Sequence, residues 1–410
     1  MKKRISILFL TLLAYSNNAQ QIFQNNLKKH ISYLADDKLK GRGTGSAEER
    51  LAADYIINQF KEYKLQPKGN NGYLYSFTFK KNLDPHDTVT VNKPEVKTND
   101  VVAFLDNNAE NTIVIGAHYD HLGMGFDKNS LDANPENKIH NGADDNASGV
   151  AGVLELARYF ATNKKKENYN FLFICFSGEE LGLYGSKKYA ENPTIDFAKV
   201  NYMINMDMIG RLNDSTKKAV VYGVGTAPEF VGIIDNIKTN LSIKKDSSGI
   251  GPSDHTSFYL KNIPVLHFFS GQHSDYHKPS DDEEKINYKG ETQILELIIA
   301  VIDATDKLPK LKFTPTKNVD KDNTPSFKVT LGVMPDYTYE GKGLHIDGVT
   351  DNKPANNAGI IKDDIIIQLG EYNVDTIQDY MKALSKFKKG DTTTVKVLRK
   401  DKEIIFNLTF

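Results

Sequence analysis

At 410 residues the chain is long enough for two or three domains, and its 39% apolar and 26% charged content is that of a folded globular protein. Fifty-two basic against fifty-three acidic residues leave a formal net charge of -1, which removes the electrostatic case for nucleic acid as a principal partner. The single cysteine, Cys175 inside the apolar run FLFICF, excludes disulfides within the chain and reads as a small core residue.

MKKR followed by ISILFLTLLAY is a positive segment and then an apolar one, the pattern of a secretory signal. Small residues at Ala14, Ser16 and Ala19 suit cleavage, so residues 1–19 are expected to be removed and the mature chain to start near Gln20. The apolar run is shorter than the about 20 residues a membrane span needs, so no stable membrane anchor is expected. Export without cross-links suits a secreted or periplasmic protein of a bacterium.

Further on, GTGSAEERLAADYIINQF opens with Ser46 and Glu49 in capping-box spacing, and Leu51, Tyr55, Ile56 and Phe60 follow at helical spacing. From Asn111 the pattern changes. TIVIGA, YNFLFICF, VNYMINM, KAVVYGV and IPVLHFF read as strands. Between them lie helices such as ASGVAGVLELARYF, with Val150, Val153, Leu154, Ala157 and Phe160 inward, and APEFVGIIDNIKTNL. Near-continuous apolar strands alternating with helices predict an α/β fold with a mostly parallel central sheet flanked by helices. The helix GETQILELIIAVIDATDKL closes this domain, expected over 20–308. Residues 309–325, rich in Pro, Lys and Asp, read as a linker. Over 326–410 the short strands FKVTLGVMPDY, KGLHIDGV, DDIIIQLG and TTTVKVLRK, with one helix around IQDYMKALSKF, predict a small β-rich domain.

Side chains able to do chemistry gather at predicted strand ends. HYDH gives His118, Asp120 and His121, SGEE gives Glu179 and Glu180, NMD gives Asp207, and the turn SDYHKPSDD gives His277. NGADDNASG, just before a helix, sets Asp144 and Asp145 side by side among turn residues. Such a stretch is either a solvated loop or a place where one carboxylate is held inward for a cation. The ends of parallel strands meet at one edge of an open α/β sheet, so these groups converge there. Two imidazoles and at least three carboxylates would repel or lie unpaired without a cation. Zinc accepts both ligand types, and two zincs about 3.5–4 Å apart need a bridging carboxylate. His121, His140, His255, His267 and His273 are expected in structural or solvent-exposed roles, and NKKKE at 163–167 as a solvated loop. The insertion MGFDKNSLDANPENKIH, between His118 and Asp144, reads as a loop over the site.

In their order, HYDHLG, NGADDNASG, SGEELGLYGS, NMDMIGR and YHKPSD resemble the M28 family of co-catalytic zinc peptidases, which includes secreted bacterial aminopeptidases. The resemblance spans roughly residues 26–308 and implies two Zn2+ ions per chain. It implies Asp144 as the bridging ligand, His118 and Asp207 on one zinc, and Glu180 and His277 on the other. Glu179 would be the general base beside metal-bound hydroxide, and Asp120 would orient the His118 ring. Asp145 would have a role other than ligation, with the family's unusual cis peptide following the bridging aspartate. Tyr276 matches a tyrosine that donates to the developing oxyanion. The implied activity is a secreted aminopeptidase acting on peptide substrates. A carboxypeptidase or dipeptidase of the same fold, or a peptide-binding scaffold without catalysis, are the alternatives. Glutaminyl cyclase, a one-zinc variant, is further removed because the full ligand set is present. GKGLHIDGVTDNKPANNAGIIKDDIIIQLGEYNV resembles a bacterial PDZ domain, which implies that GLHI receives a peptide or protein ligand by β-addition. The same domain could instead serve only to steady the first.

Overall fold

A strand that is apolar on both faces can be buried only between two layers, and this chain builds such a sandwich. The computed structural model describes residues 22–81, 94–127, 129–316, 329–336, 339, 341–349 and 353–410. The expected signal segment and most of the expected linker lie outside the described residues.

The first sheet contains β1 (Gln66–Pro67), β2 (Leu74–Lys80), β3 (Glu95–Leu105), β4 (Asn111–His118), β5 (Tyr169–Phe176), β6 (Val200–Met206), β7 (Lys218–Tyr222), β8 (Ser242–Lys245) and β9 (Val265–Phe269). Its order is β1-β3-β5-β4-β6-β9-β7-β8, with β2 paired to β3. The central β5, β4, β6 and β9 run parallel, while β3 joins β5 and β7 joins β9 in antiparallel fashion. The period of two along each strand divides its residues between two cores. Ile113, Ile115, Phe171, Phe173, Cys175 and Ile204 enter one core, and Val114, Leu172, Ile174, Phe176 and Met203 the other. Helices α1 (Gln24–Leu34), α2 (Ala47–Glu62), α3 (Gly149–Thr162), α5 (Glu229–Asn236) and α7 (Tyr288–Thr305) cover the first face. The shorter α4 (Tyr184–Glu191) and α6 (His255–Tyr259) cover the second through Tyr189 and Phe258. The expected α/β sandwich is therefore present. Cys175 is fully buried in β5, and burial pushes its thiol up, as a core residue requires.

Some elements depart from the sequence reading. In α2 the buried stripe is Ala52, Ala53, Ile56, Ile57 and Phe60, and Leu51 is 49% exposed, because the small alanines let the helix lie close on the sheet. Ser46 Oγ accepts from Glu49 N as the capping box predicts, but the Glu49 carboxylate turns inward to Gly45 N and Thr98 Oγ1. α5 stops at Asn236, where Ile237 turns extended toward β8, a strand too polar to be recognised.

The second sheet has the path β10 (Val333–Pro335), β11 (Leu344–Val349), β12 (Ile365–Leu369), β14 (Thr392–Arg399), β15 (Lys402–Thr409), with β13 (Tyr372–Asn373) on β12. Helices α8 (Pro354–Ala358) and α9 (Ile377–Leu384) accompany it. The expectation that GLHI offers a free edge is corrected: β11 pairs with β10 on one side and β12 on the other. Among the described residues, β10 and β15 end the path. Residues read as the start of a linker lie on the first domain. Leu311 N donates to Asn201 Oδ1 (2.7 Å), Thr314 N to Thr226 O (2.8 Å) and Thr316 N to Tyr259 Oη (3.0 Å). No helix among the described residues is long and apolar enough to cross a membrane.

Candidate metal centre

Because β5, β4, β6 and β9 are parallel, their C-terminal ends meet at one edge of the sheet. His118 ends β4, Glu179 and Glu180 follow β5, Asp207 follows β6, and His277 lies in the loop after β9. An irregular helical turn, Ala143–Ser148, enters the same space and leads into α3. The turn needs Gly142 at φ 56, where a Cβ would sit 2.1 Å from the Asp145 carbonyl and 2.5 Å from the His121 ring.

The Asp145 carboxylate stands between two sets of donors. Its Oδ1 lies 3.3 Å from His118 Nε2, which is 3.4 Å from Asp207 Oδ1. Its Oδ2 lies 3.2 Å from His277 Nε2, which is 3.1 Å from Glu180 Oε2. Glu179 Oε2 is beside the first set, 4.0 Å from His118 Nε2. His118, Glu179, Glu180, Asp207 and His277 are thus brought together as the motifs imply, but around Asp145, which the motif reading had set outside the ligand set.

Asp144 is not among them, so the expectation that Asp144 is the member of the pair facing the cluster is corrected: Asp145 faces it. The Asp144 carboxylate faces away into a closed set of partners: Oδ1 accepts from Gly210 N (2.7 Å) and Ser148 Oγ (3.0 Å), and Oδ2 meets His273 Nε2 (3.1 Å). Adjacent residues in a non-helical turn point in different directions, and here φ -104 and ψ 89 at Asp145 select that residue for the cluster. The cis peptide follows Asp145, between Asp145 and Asn146, rather than Asp144. Asn146 completes the division of labour, donating from Nδ2 to the Met206 carbonyl (3.0 Å) and accepting from Gly149 N at Oδ1 (2.9 Å).

Asp120 acts on His118 through its main chain. His118 Nδ1 is 3.1 Å from the Asp120 carbonyl but 3.9 Å from its carboxylate, which instead accepts from Thr44 Oγ1 (2.7 Å) and Glu179 N (3.2 Å). Tyr276 stacks on the His277 ring with centroids 3.9 Å apart.

A single imidazole nitrogen carries at most one proton, yet each Nε2 here faces two or three carboxylates. The balance of charge shows it. Burial works against charging His118 and His277, but Glu179 and Asp207 around the first, and Glu180 and Asp145 around the second, pull both well above the ordinary histidine range. Burial, opposed by His118 and reinforced by Asp207 and Glu180, pushes the Glu179 carboxyl well up. Against its burial, Glu180 is drawn down to about 2 by His277 and His121. The surplus of carboxylates calls for positive charge, which a bound cation would supply. The donor set, nitrogen and oxygen only, fits zinc.

Several participants were not singled out from sequence. His121, read as structural or exposed, is buried with Nδ1 2.6 Å from Glu180 Oε1. His140, His255 and His267 are buried too, the last two stacked at 4.5 Å, and burial takes His267 down to about 4. Asp281 accepts from Asp144 N and Asp145 N (each 3.0 Å). Arg42 is fully buried and holds the turn by donating to the carbonyls of Asn141 (2.6 Å), Gly142 (3.1 Å), Tyr119 (2.8 Å) and Leu34. Burial brings its guanidinium down to about 10 against the pull of Asp120 and Asp145. Asp281 had a signal in the acidic pair of HKPSDD; Arg42, in a glycine-rich stretch far from the ligands, had none.

The sequence profile of peptidase family M28 matches residues 100–302, the stretch that carries this cluster up to the closing helix. This is an M28 peptidase domain. The PDZ domain profile matches residues 316–409, the second sheet and its helices. The chain is 27% identical over 266 residues to leupeptin-inactivating enzyme 1 of Streptomyces exfoliatus, covering 63% of this chain and 52% of that protein. It is 27% identical to a probable leucine aminopeptidase of Trichophyton verrucosum over 54% of this chain and 60% of the other. It therefore spans little more than half the length of these curated relatives. Its fold is similar to that of a zinc aminopeptidase from Bacillus subtilis, with TM-score 0.56 and 16% identity over 73% of this chain and all of the other. A glutaminyl cyclase from Porphyromonas gingivalis has the same fold, at TM-score 0.53 and 17% identity over 70% of this chain and 99% of the other.

Proposed function

We propose that the chain is a di-zinc exopeptidase that removes N-terminal residues from peptides. The observation that carries this reading is the Asp145 carboxylate, each oxygen of which faces a separate histidine–carboxylate pair, with Glu179 alongside. His118 and Asp207 would hold one ion, Glu180 and His277 the other, and Asp145 both. Bound zinc supplies a Lewis acid for the scissile carbonyl and acidifies water. Glu179 takes the proton of the attacking water and delivers it to the leaving amine, a task suited to a carboxyl raised by burial. His118 and His277 would offer Nε2 to the ions, since each Nδ1 is held by a main-chain carbonyl. Tyr276, stacked on His277, would donate to the carbonyl oxygen as charge develops, as its match to the family implies. The aminopeptidase direction is supported by the aminopeptidases among the relatives, and a cyclase reading is disfavoured by the complete ligand set for two ions.

The proposal extends to export, supported by the charge-then-apolar pattern of residues 1–19, and to a peptide ligand for the PDZ domain at the β10 edge. The test is hydrolysis by zinc-loaded protein of a peptide pool in which each member has a free and an acetylated N-terminus, followed by mass spectrometry. Stepwise N-terminal loss from the free-amine forms alone, stopped by a chelator, is expected. Trimming from the carboxyl end would reassign the polarity, and zinc binding without cleavage would favour the scaffold.

A further inference from the structure

The two histidines at the centre of the cluster are oriented by different means. His118 Nδ1 is held by the Asp120 carbonyl, two residues along the same segment. His277 Nδ1 donates to the Asn129 carbonyl at 2.8 Å, and Asn129 belongs to the insertion between β4 and the Asp145 turn. The same short stretch holds the rest of that half-site. Leu131 N and Ser130 Oγ both donate to the His277 carbonyl, at 2.9 and 3.0 Å, and Asn129 Nδ2 donates to the Glu180 carbonyl at 2.8 Å. His277 has φ 54, a left-handed backbone that is unfavourable for a side-chain-bearing residue, so it needs such external ties. The insertion is itself anchored: Ser130 Oγ is 2.7 Å from His140 Nε2, and His140 N donates to Gly123 O at 2.9 Å, closing its base.

We propose that residues 129–131 form a positioning strap that sets the Glu180–His277 half of the metal centre, making that half dependent on the insertion while the His118–Asp207 half is self-sufficient. This goes beyond a loop covering the site and rests on the di-zinc reading. By holding the proton on His277 Nδ1, the Asn129 carbonyl leaves Nε2 with its lone pair toward the cation. The Asn129 amide and Ser130 fix the main chain from which both ligands project.

Two variants test the strap: replacement of 125–138 by a short Gly–Ser linker across the closed base, and the Asn129→Ala, Ser130→Ala double change. Each is titrated with zinc against a competing chelator and with Co2+, whose visible spectrum reports coordination. The unaltered chain should take up two ions; failure to do so defeats the di-zinc reading itself. If two are taken up, the variants should lose about 10–100-fold in affinity at one site only, with kcat falling and the other site unchanged. Both ions held as tightly as before, including the case of a raised KM alone, would overturn the strap and leave a loop that merely gates substrate. If excision prevents folding, judged by circular dichroism, the double variant decides alone.

Discussion

Replacing Glu179 with glutamine keeps shape and an acceptor oxygen while removing the group that carries the proton. Glu179→Gln should therefore retain metal content and lower kcat by about 10²–10⁴-fold, measured on a peptide substrate with metal analysis alongside. The neighbouring aspartates separate in the same way. Asp145→Asn weakens contacts to both His118 and His277 and should release metal, whereas Asp144→Asn turns an amide toward His273 Nε2 within a buried bracket. Asp144→Asn is expected to keep metal and lose about 1–3 kcal/mol of unfolding free energy. If the two variants lose metal equally, the division between ligand and brace is wrong. The sequence made the pair conspicuous but left open which member faces inward. The motifs located His118, Glu179, Glu180 and Asp207 because strand ends carry their own address, and His277 through the turn motif that follows β9. The choice between Asp144 and Asp145 depends on a single non-helical turn, which no periodicity announces.

Elements with strong periodicity were legible for the same reason: β4, β5, β6 and α3 bury the residues their patterns select. Elements stabilised by neighbours were not, among them β8 with its lysines and the strap, whose carbonyl and amide contacts leave no trace in side-chain pattern. The seam between α1 and α2 has a consequence of its own. His30 is buried with Nδ1 2.8 Å from Tyr55 Oη, and burial, aided by Lys29 and Arg158, takes it from 6.5 down to about 3. Below pH 6.5 the unfolded chain binds a proton that the folded chain refuses, so this contribution is complete above 6.5 and is lost as pH falls toward 3. The slope is about 1.4 kcal/mol per pH unit within that window. Denaturant unfolding at pH 7.5 and 4.5 should show His30→Gln losing less on acidification than the unaltered chain by roughly 2–3 kcal/mol. Parallel losses would place the acid sensitivity elsewhere.

For the molecule as a whole, the place where the first domain ends is set by packing. Residues 311–316 run against it through main-chain hydrogen bonds and the buried Leu311. A chain ending at residue 316 should keep the stability of the peptidase domain to within about 1 kcal/mol, the loss expected from the hydrogen bond of Lys244 to the Tyr339 carbonyl (2.6 Å). A chain ending at residue 308 should lose at least about 2 kcal/mol, from the buried leucine and the released hydrogen bonds. Thermal unfolding of the two truncations checks this, and equal midpoints would return 309–316 to the status of linker.

The lone cysteine sits sealed in β5 with its thiol protonated by burial. Thiol-directed dyes and spin labels will therefore pass over it. A cysteine introduced on an exposed site of each domain becomes the pair of handles for distance spectroscopy on an otherwise native chain. The separation of the peptidase-family and PDZ domains, and its response to added peptide, can then be read directly in solution without first building a cysteine-free background.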